Sequence, residues 1–203
     1  MNALTLRRWA TASVTLIVCA LPFGSAQAST DPSNVATAII EHDDGRAFDF
    51  AWDLTRQHAD DDVRPRNSAI ARARCTSCRA TAVAFQIVIA IGTPSTVVPQ
   101  NTAEALNLEC TYCVAAAEAR QFVRVVPYPV QLTGAGRAVL DDVRADLAAL
   151  EGLDLTLDQL HQAVEAQEAR VRQVLQEQLV LQNDPTKKAA VSTSVTRETA
   201  DVG

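Results

Sequence analysis

The sequence predicts an α+β protein in which three repeats of two strands precede a pair of helices. The motif P-x-N-x-A-x-A occurs three times, beginning at Pro32, Pro65 and Pro99, at spacings of 33 and 34 residues. Such a fixed period is typical of a repeat architecture. Apolar residues within the repeats alternate with period two, as in strands, whereas those after Thr133 recur at helical spacing.

Each repeat, within residues 29–130, is predicted to form a β-hairpin. In the second repeat one face carries Val83, Phe85, Ile87, Ile89 and Ile91, and the other carries Ala82, Ala84, Gln86 and Val88. Asp44-Gly45 of the first repeat is a strong hairpin signal, and a C-x-x-C unit stands at the same place in the other two. We therefore expect three hairpins in one antiparallel sheet, each with its proline at a strand start. The alternative is three strand–helix units, because "VAAAEARQFV" is rich in alanine, the best helix former.

Residues 131–182 are predicted to form a C-terminal helical hairpin. Thr133 is the candidate cap of the first helix, whose apolar stripe is Leu140, Val143, Leu147 and Leu150. Thr156 and Gln159 form a capping box for the second helix. Its seam is Leu157, Leu160, Val164, Val171 and Val174. This seam predicts packing on the sheet, or against the helix of an unknown protein partner.

The two ends of the chain predict export and disorder. Arg7 and Arg8, the apolar run 9–23 and an A-x-A site are typical of a signal peptide spanning residues 1–28. We expect cleavage after Ala28 and a secreted or extracytoplasmic product, with membrane attachment only if the segment is not cleaved. Residues 183–203 have no aromatic residue and no apolar period, which predicts a disordered tail.

Composition and motifs exclude several classes of function. The 203-residue chain has 18 basic and 24 acidic residues and a net charge of −6. This balance disfavours nucleic acids and anionic membrane surfaces. The sequence contains no H-E-x-x-H, no G-x-S-x-G and no P-loop. We therefore expect a structural or protein-binding module without enzymatic activity.

Four of the five cysteines lie outside the signal segment, as Cys75, Cys78, Cys110 and Cys113. An even number in an exported chain predicts two disulfides and no cofactor. A bond within one C-x-x-C would contribute about 2 kcal/mol, and a crossed bond such as Cys75–Cys110 about 4 kcal/mol, because it closes a longer loop. Short separation favours the local pairs, and the connectivity stays open.

Two alternatives for the same cysteines also stay open. Two C-x-x-C units at turns can present four thiolates to zinc, as zinc ribbons do. A thiol–disulfide redox function would use Cys75 and Cys78, where Arg74 and Arg79 could stabilise a thiolate. The second pair follows Glu109, whose charge would act the other way.

Both cysteine repeats fit C-T-x-C-x-A-x-A-x-A-x-Q-x-V. With the P-x-N-x-A-x-A motif and the leucine-rich helical end, the chain resembles a poorly characterised actinobacterial family of exported proteins. It is also similar to the extracytoplasmic region of proteins labelled peptide zinc metalloproteases. The resemblance runs from Asn34 to Leu181 and implies export. It does not imply proteolysis, because the chain has no zinc-protease motif.

Overall fold

The computed structural model describes residues 31–189 and 192–202, so the predicted signal peptide lies outside the described residues. Each repeat forms one strand of eight residues and one of thirteen. In chain order these are β1 Ser33–Ile40, β2 Arg46–His58, β3 Arg66–Ala73, β4 Arg79–Ile91, β5 Gln100–Asn107 and β6 Val114–Val126. The mixed α+β class is confirmed, and the first half of the molecule consists of strands, as the period of two predicts.

Strands pair between repeats and not within them. The short strands form one parallel sheet in the order β1-β3-β5, called sheet A, and the long strands pair in parallel as β2-β4-β6 in sheet B. The three repeats therefore stack as rungs of a short solenoid. The prediction of antiparallel hairpins is wrong, and so is the strand–helix alternative. Parallel stacking places each residue beside the equivalent residue of the next repeat. A hairpin would instead pair the eight-residue strand with the thirteen-residue strand of the same repeat, and equivalent residues would not meet.

The remaining elements follow the third rung: β7 Val130–Leu132, α1 Gly134–Ala148, α2 Leu157–Glu177, β8 Leu179–Leu181, β9 Asp184–Lys188 and β10 Ser192–Val202. Strand β10 runs antiparallel along β6 and completes sheet B, in the order β10-β6-β4-β2. The expectation of a disordered tail at residues 183–203 is therefore wrong for residues 184–188 and 192–202, and further strands follow the two helices. Strand β9 pairs with β8, and β10 pairs with the long edge of β6, a partner that local sequence does not reveal.

Two apolar cores separate three layers, which are sheet A, sheet B and the two helices. The core between the sheets consists largely of alanines, including Ala36, Ala38, Ala69, Ala71, Ala80, Ala82, Ala84, Ala115, Ala117 and Ala119. The opposite face of sheet B carries large side chains, with Phe85 lying 6.1 Å from Trp52 and 6.2 Å from Phe122 between ring centres. Both predicted helical stripes pack there, in this protein's own core.

The helices begin where the sequence predicts. The hydroxyl of Thr133 accepts a hydrogen bond from the amide of Gly136 at 3.0 Å. Thr156 and Gln159 form the complete reciprocal capping box. Each cap satisfies amides that the first helical turn leaves without an intrahelical acceptor.

Two rows of side-chain amides hold the rungs in register. Asn34 donates to Asn67 at 2.9 Å, and Asn67 donates to Asn101 at 2.8 Å, so the asparagine of each P-x-N-x-A-x-A motif forms one row. In the second row Gln121 donates to Gln86 at 2.8 Å, and Gln86 donates to the carboxylate of Asp53 at 3.3 Å. Buried amides of this kind need partners, and a parallel stack supplies them from the next rung.

Candidate functional site

Three equivalent turns join the short strand of each rung to its long strand, and they stack on one another. The third residue of each turn has a positive φ, 55° at Asp44, 54° at Ser77 and 57° at Tyr112. The amide of Asp44 donates to the carbonyl of Thr76 at 2.9 Å, and that of Ser77 to the carbonyl of Thr111 at 2.8 Å. The backbone hydrogen bonding of the sheets thus continues through the turns.

Both disulfides lie within these turns. Cys75 is bonded to Cys78 and Cys110 to Cys113, with Cα–Cα distances of 6.1 and 5.9 Å that lie in the usual range for disulfides. Cys78, Cys113 and Cys75 are 3%, 5% and 8% exposed. Cys110 is partly exposed. The structure therefore has the local connectivity and not the crossed one.

The first rung has the same turn without sulfur. His42 and Gly45 occupy the positions of the two cysteines. A β-carbon at Gly45 would lie 2.4 Å from Nε2 of His42 and 2.6 Å from Cδ1 of Ile40, so these side chains fill the space over the glycine. The cross-link is therefore confined to the second and third rungs.

The two disulfides are in contact with each other. Sγ of Cys78 lies 3.3 Å from Sγ of Cys113. The sulfurs of Cys75, Cys78 and Cys113 all lie within 4.8 Å of one another, and that of Cys110 is outside this group. Cysteine binds zinc as a thiolate, and a sulfur in a disulfide is not one, so a site built from these four cysteines needs all four reduced. A zinc site here would therefore require reduction of both bonds, and it stays a prediction.

The charges around the cysteines are already paired. Arg74 forms an exposed ion pair with Glu109 at 2.7 Å, and this hydrogen bond raises the pKa of Arg74 above its usual value. Arg79 donates to the carbonyl of Leu155 and lies 4.0 Å from Asp154. Neither C-x-x-C precedes a helix, where a helix N-terminus would stabilise a thiolate. These surroundings favour structural disulfides.

A second polar site lies on the helix-facing side of sheet B, and we call it the buried ion cluster: Glu118, Arg120 and Glu168 form its buried centre, and the partly exposed Arg172 and Arg197 reach Glu168 from outside. Arg120, Glu168 and Glu118 are 1%, 2% and 3% exposed. Arg120 lies 2.7 Å from Glu118 and 3.1 Å from Glu168. Arg197 of β10 donates to both carboxylate oxygens of Glu168, its Nε lying 2.7 and 2.8 Å from them, and Arg172 pairs with Glu168 along the helix.

The electrostatics of the buried ion cluster favour an ionised Glu168. Burial acts to raise its pKa, but the hydrogen bonds from Arg197 and the charges of Arg197, Arg120 and Arg172 outweigh this effect, so its pKa lies below the ordinary value. Strand β6, helix α2 and strand β10 are thus held together by charge in a region where the first two rungs use apolar side chains.

The sequence indicates one member of this cluster but not its partners. Arg120 stands where the second repeat has Phe85, so the third repeat is visibly more polar on this face. Its partners Glu168 and Arg197 lie 48 and 77 residues further along the chain, and no local pattern connects them. Of the cluster residues, Glu118 also lines a surface pocket of about 250 Å³, where His161 lies 3.2 Å from Glu118.

A scan against protein-family models and searches of curated proteins and of solved structures find no match to this chain. The resemblance to the actinobacterial family is thus a proposal that rests on the quoted motifs. Among the described residues, no helix has the length and apolar character needed to cross a bilayer.

Proposed function

We propose that the chain is an exported, non-catalytic module that serves a structural or protein-binding role, with its repeat stack fastened by two disulfides. The observation that carries this proposal is the pair of disulfides in equivalent turns of neighbouring rungs. Disulfides persist in oxidising compartments, so the paired cysteines agree with the secreted or extracytoplasmic location that the signal peptide predicts.

The alanine core gives the cross-links a physical reason. Burial of apolar area stabilises in proportion to the area, so an alanine contributes much less than a leucine or phenylalanine. Sheet A packs on sheet B almost entirely through alanines. A stack of three rungs is also close to the minimum for a repeat protein. Each four-residue loop closed by a disulfide contributes about 2 kcal/mol, at the end of the sheets where the chain turns from one to the other.

The outer face of sheet A is the surface that we propose for a protein partner. Both helical stripes are buried on sheet B, so a partner that used them would have to displace the core. On sheet A, Val35, Ile39 and Leu106 are 54%, 52% and 37% exposed. The face also carries an ion pair between Arg72 and Glu104 at 2.8 Å. A flat face of this composition fits a protein surface better than a small ligand.

The test is the intact mass of the purified mature protein, native and denatured, with thiol alkylation and without reductant. We expect the mass of a chain that has lost four hydrogens, no alkylation and no bound metal. Four alkylated thiols and a native mass heavier by one zinc ion would replace this proposal with a metal domain.

A second assay addresses catalysis. The oxidised protein is added to a mixture of insulin and a dithiol, and we expect insulin reduction at the rate of the dithiol alone. Acceleration that is lost when Cys75 and Cys78 are both replaced by serine would instead establish the redox function.

A further inference from the structure

We propose that the two disulfides can exchange, so that a dithiol reacting at Cys110 converts the local pairs into a cross-rung disulfide between Cys78 and Cys113. The contact of 3.3 Å between Sγ of Cys78 and Sγ of Cys113 carries this inference. It goes beyond the proposed function, since a structural disulfide needs no route to another pairing.

Access determines where the reaction begins. Cys110 is the partly exposed member of the four, and the other three are at least 92% buried. Exchange proceeds by attack of a thiolate on one sulfur of a disulfide, so an external dithiol attacks Sγ of Cys110. The Cys110–Cys113 bond breaks, its electron pair leaves on Sγ of Cys113, and a mixed disulfide joins the reagent to Cys110.

The second thiolate of the reagent then attacks its own sulfur in the mixed disulfide. This step releases Cys110, which takes up a proton, and it leaves the reagent as a cyclic disulfide. One dithiol has been oxidised and one protein disulfide reduced. The protein now holds the intact Cys75–Cys78 bond and a thiolate at Cys113, which lies beside that bond.

The final step is internal. The thiolate of Cys113 attacks Sγ of Cys78, a new bond forms between them, and the electron pair of the broken bond leaves on Cys75, which is protonated. Arg79 pairs with Val114 in the sheet, so Cys78 and Cys113 occupy neighbouring register positions. Adjacent strands lie about 4.8 Å apart, within the Cα–Cα range of a disulfide.

The product also constrains the unfolded chain more strongly. A bond between Cys78 and Cys113 closes 36 residues, whereas each local bond closes four. In the chain-entropy model the longer loop gives the larger stabilisation. Reduction by one dithiol would thus leave the second and third rungs joined to each other, with free thiols at Cys75 and Cys110.

The sequence provides a direct assay. Trypsin cleaves after Arg74, Arg79 and Arg120, and it therefore places the first cysteine pair on peptide 75–79 and the second on peptide 80–120. Local disulfides leave these peptides separate, and a cross-rung disulfide joins them. The oxidised full chain is treated with one equivalent of dithiothreitol, quenched with acid, alkylated, digested and analysed by mass spectrometry.

We expect the linked peptide pair to appear, with alkylation at Cys75 and Cys110. Alkylation confined to Cys110 and Cys113, with the two peptides separate, would overturn the proposal. So would simultaneous reduction of both pairs without any linked species.

Two serine variants give a matched comparison without reductant. In Cys110→Ser the remaining thiol of Cys113 lies beside the Cys75–Cys78 bond, and we expect a measurable share of linked peptides. In Cys113→Ser the remaining thiol belongs to Cys110, whose sulfur lies outside the group of three, and we expect none. Equal yields of linked peptides in the two variants would contradict the mechanism, and the wild-type titration decides if either variant fails to fold.

Discussion

Replacing Asn67 by alanine should destabilise the protein strongly, because it breaks the asparagine row at its centre. The amide of Asn67 donates to Asn101 at 2.8 Å and to the carbonyls of Ala84 and Arg120 at 3.2 Å each, and it accepts from Asn34 at 2.9 Å. Asn67 is only 2% exposed, so water cannot replace these hydrogen-bond partners in the variant. The two N–H groups are shared among three acceptors, and the oxygen accepts one hydrogen bond. The side chain therefore makes about three effective hydrogen bonds, at about 1 kcal/mol each.

We therefore expect Asn67→Ala to lower the free energy of unfolding by about 3 kcal/mol. For a domain of this size the melting temperature should fall by about 6–12 °C. Urea and thermal unfolding followed by far-ultraviolet circular dichroism measure both quantities. Thr102→Ala is the control, because Thr102 is exposed on β5 and its loss should change stability by less than about 0.5 kcal/mol. If the two variants were equally stable, the row of asparagines would not hold the rungs together.

Three further predictions concern charge, backbone and cross-links. Because the folded state lowers the pKa of Glu168 below its ordinary 4.5, its stabilising effect is present above that pH and is lost as the pH falls through the folded pKa. Glu168→Gln should lower the free energy of unfolding by about 3 kcal/mol at neutral pH. The urea midpoint, measured down to about pH 3, should then fall less steeply with decreasing pH than in the wild type, and an unchanged pH profile would refute this. Gly92→Ala should cost about 2 kcal/mol, since φ is +133° and a β-carbon would meet a backbone carbonyl at 2.6 Å, whereas Gly152→Ala, with no atom within 4 Å, should be neutral in the same melts. Replacing Cys110 and Cys113 together by serine should lower the free energy of unfolding by about 2 kcal/mol, and a stability equal to that of the wild type would show that the bond contributes nothing.

The strands and their faces could be predicted from the sequence, but their pairing could not. The alternation of Phe85 and Ile87 with Ala84 and Gln86 identifies two faces with period two, and the structure places these faces in different cores. The same alternation occurs in a hairpin and in a parallel stack. The repeated asparagine was the usable clue, since a buried amide at the same point of every repeat finds its partner most simply in the next copy.

The C-terminal strand and the buried ion cluster were beyond the reach of local patterns. Residues 192–202 are polar and β-branched, and they form a strand because the edge of β6 offers eleven residues to pair with. Glu168 lies on α2 and pairs with Arg120 of β6 and Arg197 of β10, which only the folded chain brings to it. Contacts between distant segments of this kind carry no short-range signature.

The glutamine row also gives the stack of repeats a direction. Gln121 donates a hydrogen bond to Gln86, and Gln86 donates one to Asp53. The carboxylate of Asp53 accepts this bond but has no N–H with which to donate another. A copy of the second repeat inserted between the second and third rungs would continue this row. The same copy placed before the first rung would stand beside Asp53, which has no N–H to offer the glutamine oxygen. Duplication of the second repeat thus extends the glutamine row when the copy follows the second rung. Asp53, at the glutamine position of the first repeat, marks the first rung.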